Sequence, residues 1–183
     1  TGFRGADHAE IIVAVTARDR LKTERFGDFF ASIDYHGDPV LMARDYESTL
    51  GKQTCLLDGA LELIQALYCK CELYIVTNGI TAVQQSRFGG CALAPYFDQC
   101  FISEQMGCAK PEKRFFDLVA ASIPNFDSKE AIVIGDSLSS DILGGINAGI
   151  RTCWINPKHK PATVFPDYEI ESIAQLEGLL DKL

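Results

Sequence analysis

Two aspartates five residues apart, Asp136 and Asp141, follow a short apolar run that ends at Gly135. If the run is a strand, Asp136 leaves its tip and Asp141 returns from the first turn of the next helix. Two carboxylates converging at a strand end suit a hard, oxygen-seeking ion such as Mg²⁺. Capping of the helix by Asp136 would explain one of the pair but not both. A second apolar run ends in Thr77-Asn78-Gly79. A hydroxyl beside a glycine turn and a helix start can hold a phosphoryl oxygen, helped by exposed backbone N–H groups, although many ordinary turns read the same way. Between them lies Lys110, followed by Pro111. A residue before proline is kept out of the following helix, so its ammonium can reach a cleft as a point charge. Alone, it reads as a surface lysine. In order along the chain, a hydroxyl, a lysine and a carboxylate pair provide what phosphoryl transfer needs: donors, a fixed cation and oxygen ligands for Mg²⁺.

These residues need a scaffold that brings strand ends together. From about residue 54, short apolar strands alternate with helical patterns. The strands are Glu72–Thr77, Phe97–Ser103, Ala131–Gly135, Thr152–Ile155 and a short fifth near Tyr168–Ile173. Asp58 is placed to cap a helix carrying Leu61, Leu63, Ile64 and Leu67. Further helices are expected over Thr81–Phe88, Lys113–Ile123, Ser140–Ala148 and Ile173–Leu183. This alternation predicts an α/β fold, a Rossmann-like parallel sheet with helices on both faces. Ligands of such sheets bind beyond the carboxyl ends of the strands, where the residues above fall. Residues 1–53 read as helical instead. Phe26, Phe29, Phe30 and Ile33 share one face at helical spacing, which predicts core packing. Asp38 and Pro39 mark a helix start, and Val40, Leu41 and Tyr46 continue an apolar face. Thr16-Ala17-Arg18-Asp19 resembles an N-cap.

Composition narrows the function classes. The chain has 183 residues, 47% of them hydrophobic and 23% charged, which suits a globular protein with a core. Its formal net charge of −8 argues against nucleic-acid binding. The densest basic stretch, Lys158-His159-Lys160, is short and reads as a solvated loop. The seven cysteines form no C-x-x-C pair, and reduced, partly buried thiols are expected. No run approaches the about 20 apolar residues needed to cross a bilayer, and the expected location is cytoplasmic.

Ile75-Val76-Thr77-Asn78-Gly79, Ala109-Lys110-Pro111 and Gly135-Asp136-Ser137-x-x-Ser140-Asp141 resemble motifs II, III and IV of the haloacid dehalogenase-like hydrolases. Tyr96-Phe97-Asp98, Ile102-Ser103-Glu104 and the run from Asp141 to Gly149 resemble that family's pyrimidine 5′-nucleotidase branch. The resemblance covers residues 54–183 as the α/β core. It extends more loosely to residues 1–53 as part of a helical cap. It implies that Thr77 binds the transferring phosphoryl group, with Asn78 and Gly79 beside it. Lys110 would stabilise the nucleophile and the phosphoryl oxygens, and Asp136 and Asp141 would hold Mg²⁺ or its waters. The retained G-D-x-x-x-x-D spacing implies a phosphatase rather than a dehalogenase. The implied substrate is a small phosphorylated metabolite, foremost a nucleoside monophosphate. A sugar-phosphate phosphatase and a non-catalytic phosphate-binding module are the alternatives.

The sequence departs from the family at one point. Members open with a strand ending in D-x-D, whose first Asp attacks phosphorus and whose second is the general acid and base. No D-x-D occurs among the 183 residues. Ile11–Val15 could pass for that strand, but Thr16 stands where the nucleophile should be. The expectation is that roughly 40 or more upstream residues are missing, enough for that strand and the first cap helices. A sheet lacking a central strand would then be marginally stable, or sheltered by another copy of the chain.

Overall fold

A computed structural model of the protein describes residues 21–182. The readings of Ile11–Val15 and of a cap at Thr16 lie outside the described residues. The chain divides into two compact units at Gln53–Thr54.

In the first unit, helix α1 covers residues 21–32 and α2 covers Pro39–Gly51. The start of α2 follows from its sequence. Asp38 is the N-cap, its Oδ1 accepting from the N–H of Val40 at 2.8 Å and of Leu41 at 3.3 Å, with Pro39 in the first turn. The apolar stripe divides in a way that periodicity alone does not foresee. Phe30 and Ala43 are buried, and Phe30 meets Tyr35 edge to face. Phe29, Ile33, Val40, Leu41 and Tyr46 are exposed. Phe26 and Tyr46 meet edge to face, and the Arg25 guanidinium lies 4.7 Å from both ring centroids, a cation–π contact that covers aromatic surface with a solvated charge.

The second unit follows the βα alternation. In chain order it runs α3 (Ala60–Tyr68), β1 (Tyr74–Thr77), α4 (Thr81–Gly89), β2 (Gln99–Ile102), the short α5 (Ser103–Met106) and α6 (Lys113–Ser122). It continues through β3 (Ile132–Gly135), a π-helical turn (Leu138–Ile142), α7 (Leu143–Ala148), β4 (Arg151–Ile155), β5 (Tyr168–Ile170) and α8 (Leu176–Leu180). All strand pairs are parallel. They form two sheets, β1-β2 and β3-β4-β5. Within each the register is regular: Thr77 lies opposite Ile102, and Gly135 opposite Trp154. The strand ends that carry the candidate chemistry are therefore level with their neighbours.

Helices cover both faces. Phe115, Phe116 and Val119 of α6 pack with Phe101 of β2, Val133 of β3 and the half-buried Val76 of β1, so a single apolar layer spans both sheets. On the opposite face Leu67 of α3 and Leu176 of α8 pack with Cys153 and Ile170, flanked by Ile132, Ile134 and Ile155. Alternation along β3 and β4 sends successive side chains to opposite layers. Two glycines of α7 permit its close approach. A Cβ on Gly144 would lie 2.4 Å from the Phe116 ring, and one on Gly145 would lie 2.5 Å from Thr152 Cγ2.

Some local expectations need correction. Asp58 does not cap α3. The N-cap is Gly59, in the left-handed region at φ 76°, and no side chain caps the helix. The helix expected after β3 begins as the π turn. The closing helix is shorter than its periodicity suggests: Ser172 and Gln175 build a capping box over a 3₁₀ turn, and α8 spans five residues. Lys70 ties α3 to α8 through Glu177 and Asp181, each at 3.0 Å and well exposed.

All seven cysteines are free thiols; Cys55, Cys69 and Cys71 are exposed, and Cys108 and Cys153 are buried. Burial pushes the Cys153 thiol up to about 11. Iodoacetamide labelling at pH 8.5, read by peptide mass spectrometry, is expected to modify Cys55 and Cys69 quickly. Cys108 and Cys153 should label only on the timescale of unfolding. Rapid labelling of Cys153 in the native protein would contradict this packing.

Candidate active site

Two of the candidate residues, Asn78 and Asp141, are bonded to a third, Lys110. Lys110 lies in the segment between α5 and α6, and its bond to Pro111 is cis. Its Nζ donates to the Val76 carbonyl at 2.7 Å and to Asp141 Oδ1 at 2.7 Å. The two charged side chains are about nine-tenths buried, at 9% and 11% exposure. Lys110 thus ties the end of β1 to the turn after β3. The surface-lysine reading does not hold here. A buried charge must be paired and hydrogen-bonded to be tolerated, and both conditions are met. An ammonium has three N–H donors. Two are engaged, which leaves one for a ligand.

Asn78 fixes the lysine backbone. Its Nδ2 donates to the Lys110 carbonyl at 2.7 Å, and the Lys110 N–H donates to its Oδ1 at 2.9 Å. This reciprocal pair joins the β1–α4 turn to the lysine loop across 32 positions of sequence. Asn147 of α7 holds the other side, its Nδ2 donating to the Pro111 carbonyl at 3.0 Å. Glu104 of α5, just past β2, accepts from the Thr81 N–H at 2.7 Å. It supplies the cap that α4 lacks, since the N-cap Ile80 offers no side-chain acceptor. Thr77 and Gly79 are half-buried beside Asn78, and the Thr77 hydroxyl has no hydrogen-bond partner among the described residues.

At the end of β3 the carboxylates differ. Asp141 is buried within the π turn. Its Oδ1 takes Lys110, and its Oδ2 accepts the Ser137 N–H at 3.2 Å. Asp136 is exposed and does not cap the turn. Ser137 does so, its Oγ accepting from the Ser140 N–H at 3.2 Å. The Asp136 carbonyl accepts the indole N–H of Trp154 at 3.1 Å. Gly135 makes room for Asp141, because a Cβ there would stand 2.3 Å from the carboxylate oxygen.

Among the described residues no three His, Cys, Asp or Glu side chains gather to hold an ion. The donor set still fits Mg²⁺. It is all oxygen, and Mg²⁺ is commonly held by one or two carboxylates while waters and substrate phosphate complete its shell. Among the described residues the Asp136 carboxylate has no hydrogen-bond or ion-pair partner, and Asp141 keeps lone pairs beyond the two bonds it accepts. Sequence reasoning named the six residues Thr77, Asn78, Gly79, Lys110, Asp136 and Asp141. It missed Glu104, Asn147 and Trp154 as supports, because each acts across the fold rather than within a spacing.

The profile of the haloacid dehalogenase-like hydrolases matches residues 17–155. The chain belongs to this family. Its similarity reaches further than the profile. It is 39% identical to a hydrolase of the family from Bacillus subtilis over 90% of this chain and 71% of that one. It is 38% identical to a pyrimidine 5′-nucleotidase of Streptococcus pneumoniae, over 91% and 71%. It is 42% identical to a pyrimidine 5′-nucleotidase of Escherichia coli, over 69% and 57%. These relatives place it in the branch of haloacid dehalogenase-like hydrolases that contains pyrimidine 5′-nucleotidases. The crystal structure of the B. subtilis protein, bound to magnesium, superposes with a TM-score of 0.83 over 90% of this chain and 72% of that one, at 38% identity. A 2-haloacid dehalogenase of Pseudomonas syringae superposes at 0.69, with 26% identity, over 99% and 83%. The α/β architecture is therefore the family's.

The seat of Asp141 gives a direct test. Gly135→Ala forces a methyl into the carboxylate, and overpacking of this kind costs about 1–3 kcal/mol. Denaturant unfolding should show that loss. Wild-type stability in Gly135→Ala would mean that Asp141 is not seated against β3.

Proposed function

We propose that the chain is the larger part of a Mg²⁺-dependent phosphohydrolase whose substrate is a nucleoside 5′-monophosphate, pyrimidine by preference. The observation that carries the proposal is the Lys110 ammonium, buried between β1 and Asp141 with one donor to spare. Among the described residues the Thr77 hydroxyl and the Asp136 carboxylate have no hydrogen-bond partner at the neighbouring strand ends. Thr77 and the N–H groups of the Asn78–Gly79 turn would hold phosphoryl oxygens, and the third Lys110 N–H would stabilise the charge that gathers there. Asp136 and Asp141 would hold Mg²⁺, which when bound neutralises phosphoryl charge.

The attacking group is proposed to lie on a further parallel strand between β1 and β3. Among the described residues neither strand has a second neighbour, yet both belong to one apolar layer and Lys110 bridges their ends. A carboxylate delivered there would attack phosphorus, displacing the nucleoside oxygen as the P–O bond breaks. A second acid would give that oxygen its proton, and water would then release phosphate from the aspartyl-phosphate. The strand would come from polypeptide outside these 183 residues, which contain no D-x-D. Residues 1–53 are proposed as part of a cap that selects the base. Without the strand, β1 and β3 present open edges, and association of two copies is the proposed shelter.

Sugar phosphates are the second reading. N-acylneuraminate-9-phosphatases of mouse and human are 28% and 27% identical to the chain over three-quarters of its length.

The test is phosphate release from a panel of nucleoside monophosphates, sugar phosphates and an aryl phosphate, with and without Mg²⁺. The 183 residues alone are expected to be inactive. Joined to a strand ending in D-x-D they should turn over pyrimidine monophosphates only with Mg²⁺, and Asp136→Asn should cut the rate about a hundredfold or more. Mg²⁺-independent turnover, or turnover indifferent to Asp136, would overturn the proposal. Preference for sugar phosphates would select the second reading.

A further inference from the structure

One peptide group joins the two carboxylates assigned to Mg²⁺. The carbonyl of the Asp136–Ser137 peptide accepts the Trp154 indole N–H at 3.1 Å, and the N–H of the same peptide donates to Asp141 Oδ2 at 3.2 Å. A peptide group is planar. Its C=O and N–H point in opposite directions, so fixing one fixes the other. Trp154 is 2% exposed and stands opposite Gly135 in the β3–β4 ladder. Its indole N–H can only donate and, being buried, needs an acceptor. It finds that acceptor at the point where the chain leaves the sheet, where no ladder bond would otherwise hold the peptide.

We infer that Trp154 is a positioning residue for the metal site: its indole sets the Asp136–Ser137 peptide plane, which aims the Asp136 side chain and holds Asp141 in register with it. This deepens the functional reading above and rests on Asp136 and Asp141 as the Mg²⁺ ligands. The partners that orient metal ligands govern affinity nearly as strongly as the ligands themselves. Trp154 is also the only tryptophan in the chain, so its emission reports on this one place. A divalent cation at Asp136 changes the field at an indole bonded to that residue's own carbonyl.

The experiment is a Mg²⁺ titration of the 183-residue protein, followed in parallel by calorimetry and by intrinsic fluorescence. Trp154 emission should change along the calorimetric isotherm, and neither signal should appear in Asp136→Asn. Trp154→Phe keeps the aromatic filling and removes the donor. Its Mg²⁺ dissociation constant is expected to rise about tenfold or more, beyond any loss of thermal stability measured without metal. A purely structural tryptophan would lower the melting temperature of Trp154→Phe and leave its Mg²⁺ affinity unchanged, and that result overturns the inference. If Trp154→Phe does not fold, the wild-type fluorescence decides: calorimetric binding with silent Trp154 emission overturns the inference while leaving the metal reading intact. Absence of calorimetric binding in the wild-type protein overturns both.

Discussion

A buried ammonium dictates the arrangement of this site. Lys110 cannot sit between the ends of β1 and β3 without acceptors, and each acceptor constrains an element. The Val76 carbonyl ties it to β1, and Asp141 ties it to the turn after β3. Asp141 in turn needs Gly135 to be without a side chain and needs the Ser137 N–H aimed at it. Asn78 clamps the lysine backbone, and Asn147 clamps the proline that follows. Replacing a whole buried ion pair by hydrophobes is often nearly neutral, whereas removing Lys110 alone would strand the buried Asp141 carboxylate.

Packing supplies what the backbone ladder does not. Among the described residues the strands form two parallel sheets without hydrogen bonds between them, and α6 covers both from one face. The candidate site sits at the carboxyl ends on either side of that division, where an anionic group would meet donors from β1 and carboxylates from β3. Such a place has little backbone pairing of its own. The side-chain bonds of Lys110, Asn78 and Glu104 therefore fix the geometry there.

Much of this was legible in the sequence for local reasons. Runs such as Ala131–Gly135, short, apolar and set between helical patterns, read as strands of a covered sheet. The spacing of Asp136 and Asp141 placed both at one strand end. The family motifs could be read off directly, and with them six candidate residues, of which Asn78, Lys110 and Asp141 are bonded to one another in the structure. Other features depend on distant partners. Nothing near Lys110 in the sequence says that Asp141 neutralises it, and nothing near Trp154 says that its indole reaches Asp136. Glu104 reads only as part of a motif just past the second strand until it is found capping the N-terminus of α4. Division of the strands into two sheets is a matter of long-range pairing, which periodicity does not encode. Asp58 failed as a cap because Gly59 turns the chain left-handed first, and Phe29 and Ile33 followed helical spacing without finding a surface to cover.

The central claim is that Thr77, Lys110, Asp136 and Asp141 form one phosphate site. The most direct measurement is a crystal structure with Mg²⁺ and tungstate, a heavy phosphate mimic located without ambiguity by its anomalous signal. The account predicts tungstate within hydrogen-bond reach of the Thr77 hydroxyl and Lys110 Nζ, with Mg²⁺ against Asp136. Tungstate bound elsewhere, with Lys110 still closed on Asp141 and no ion at Asp136, would contradict it.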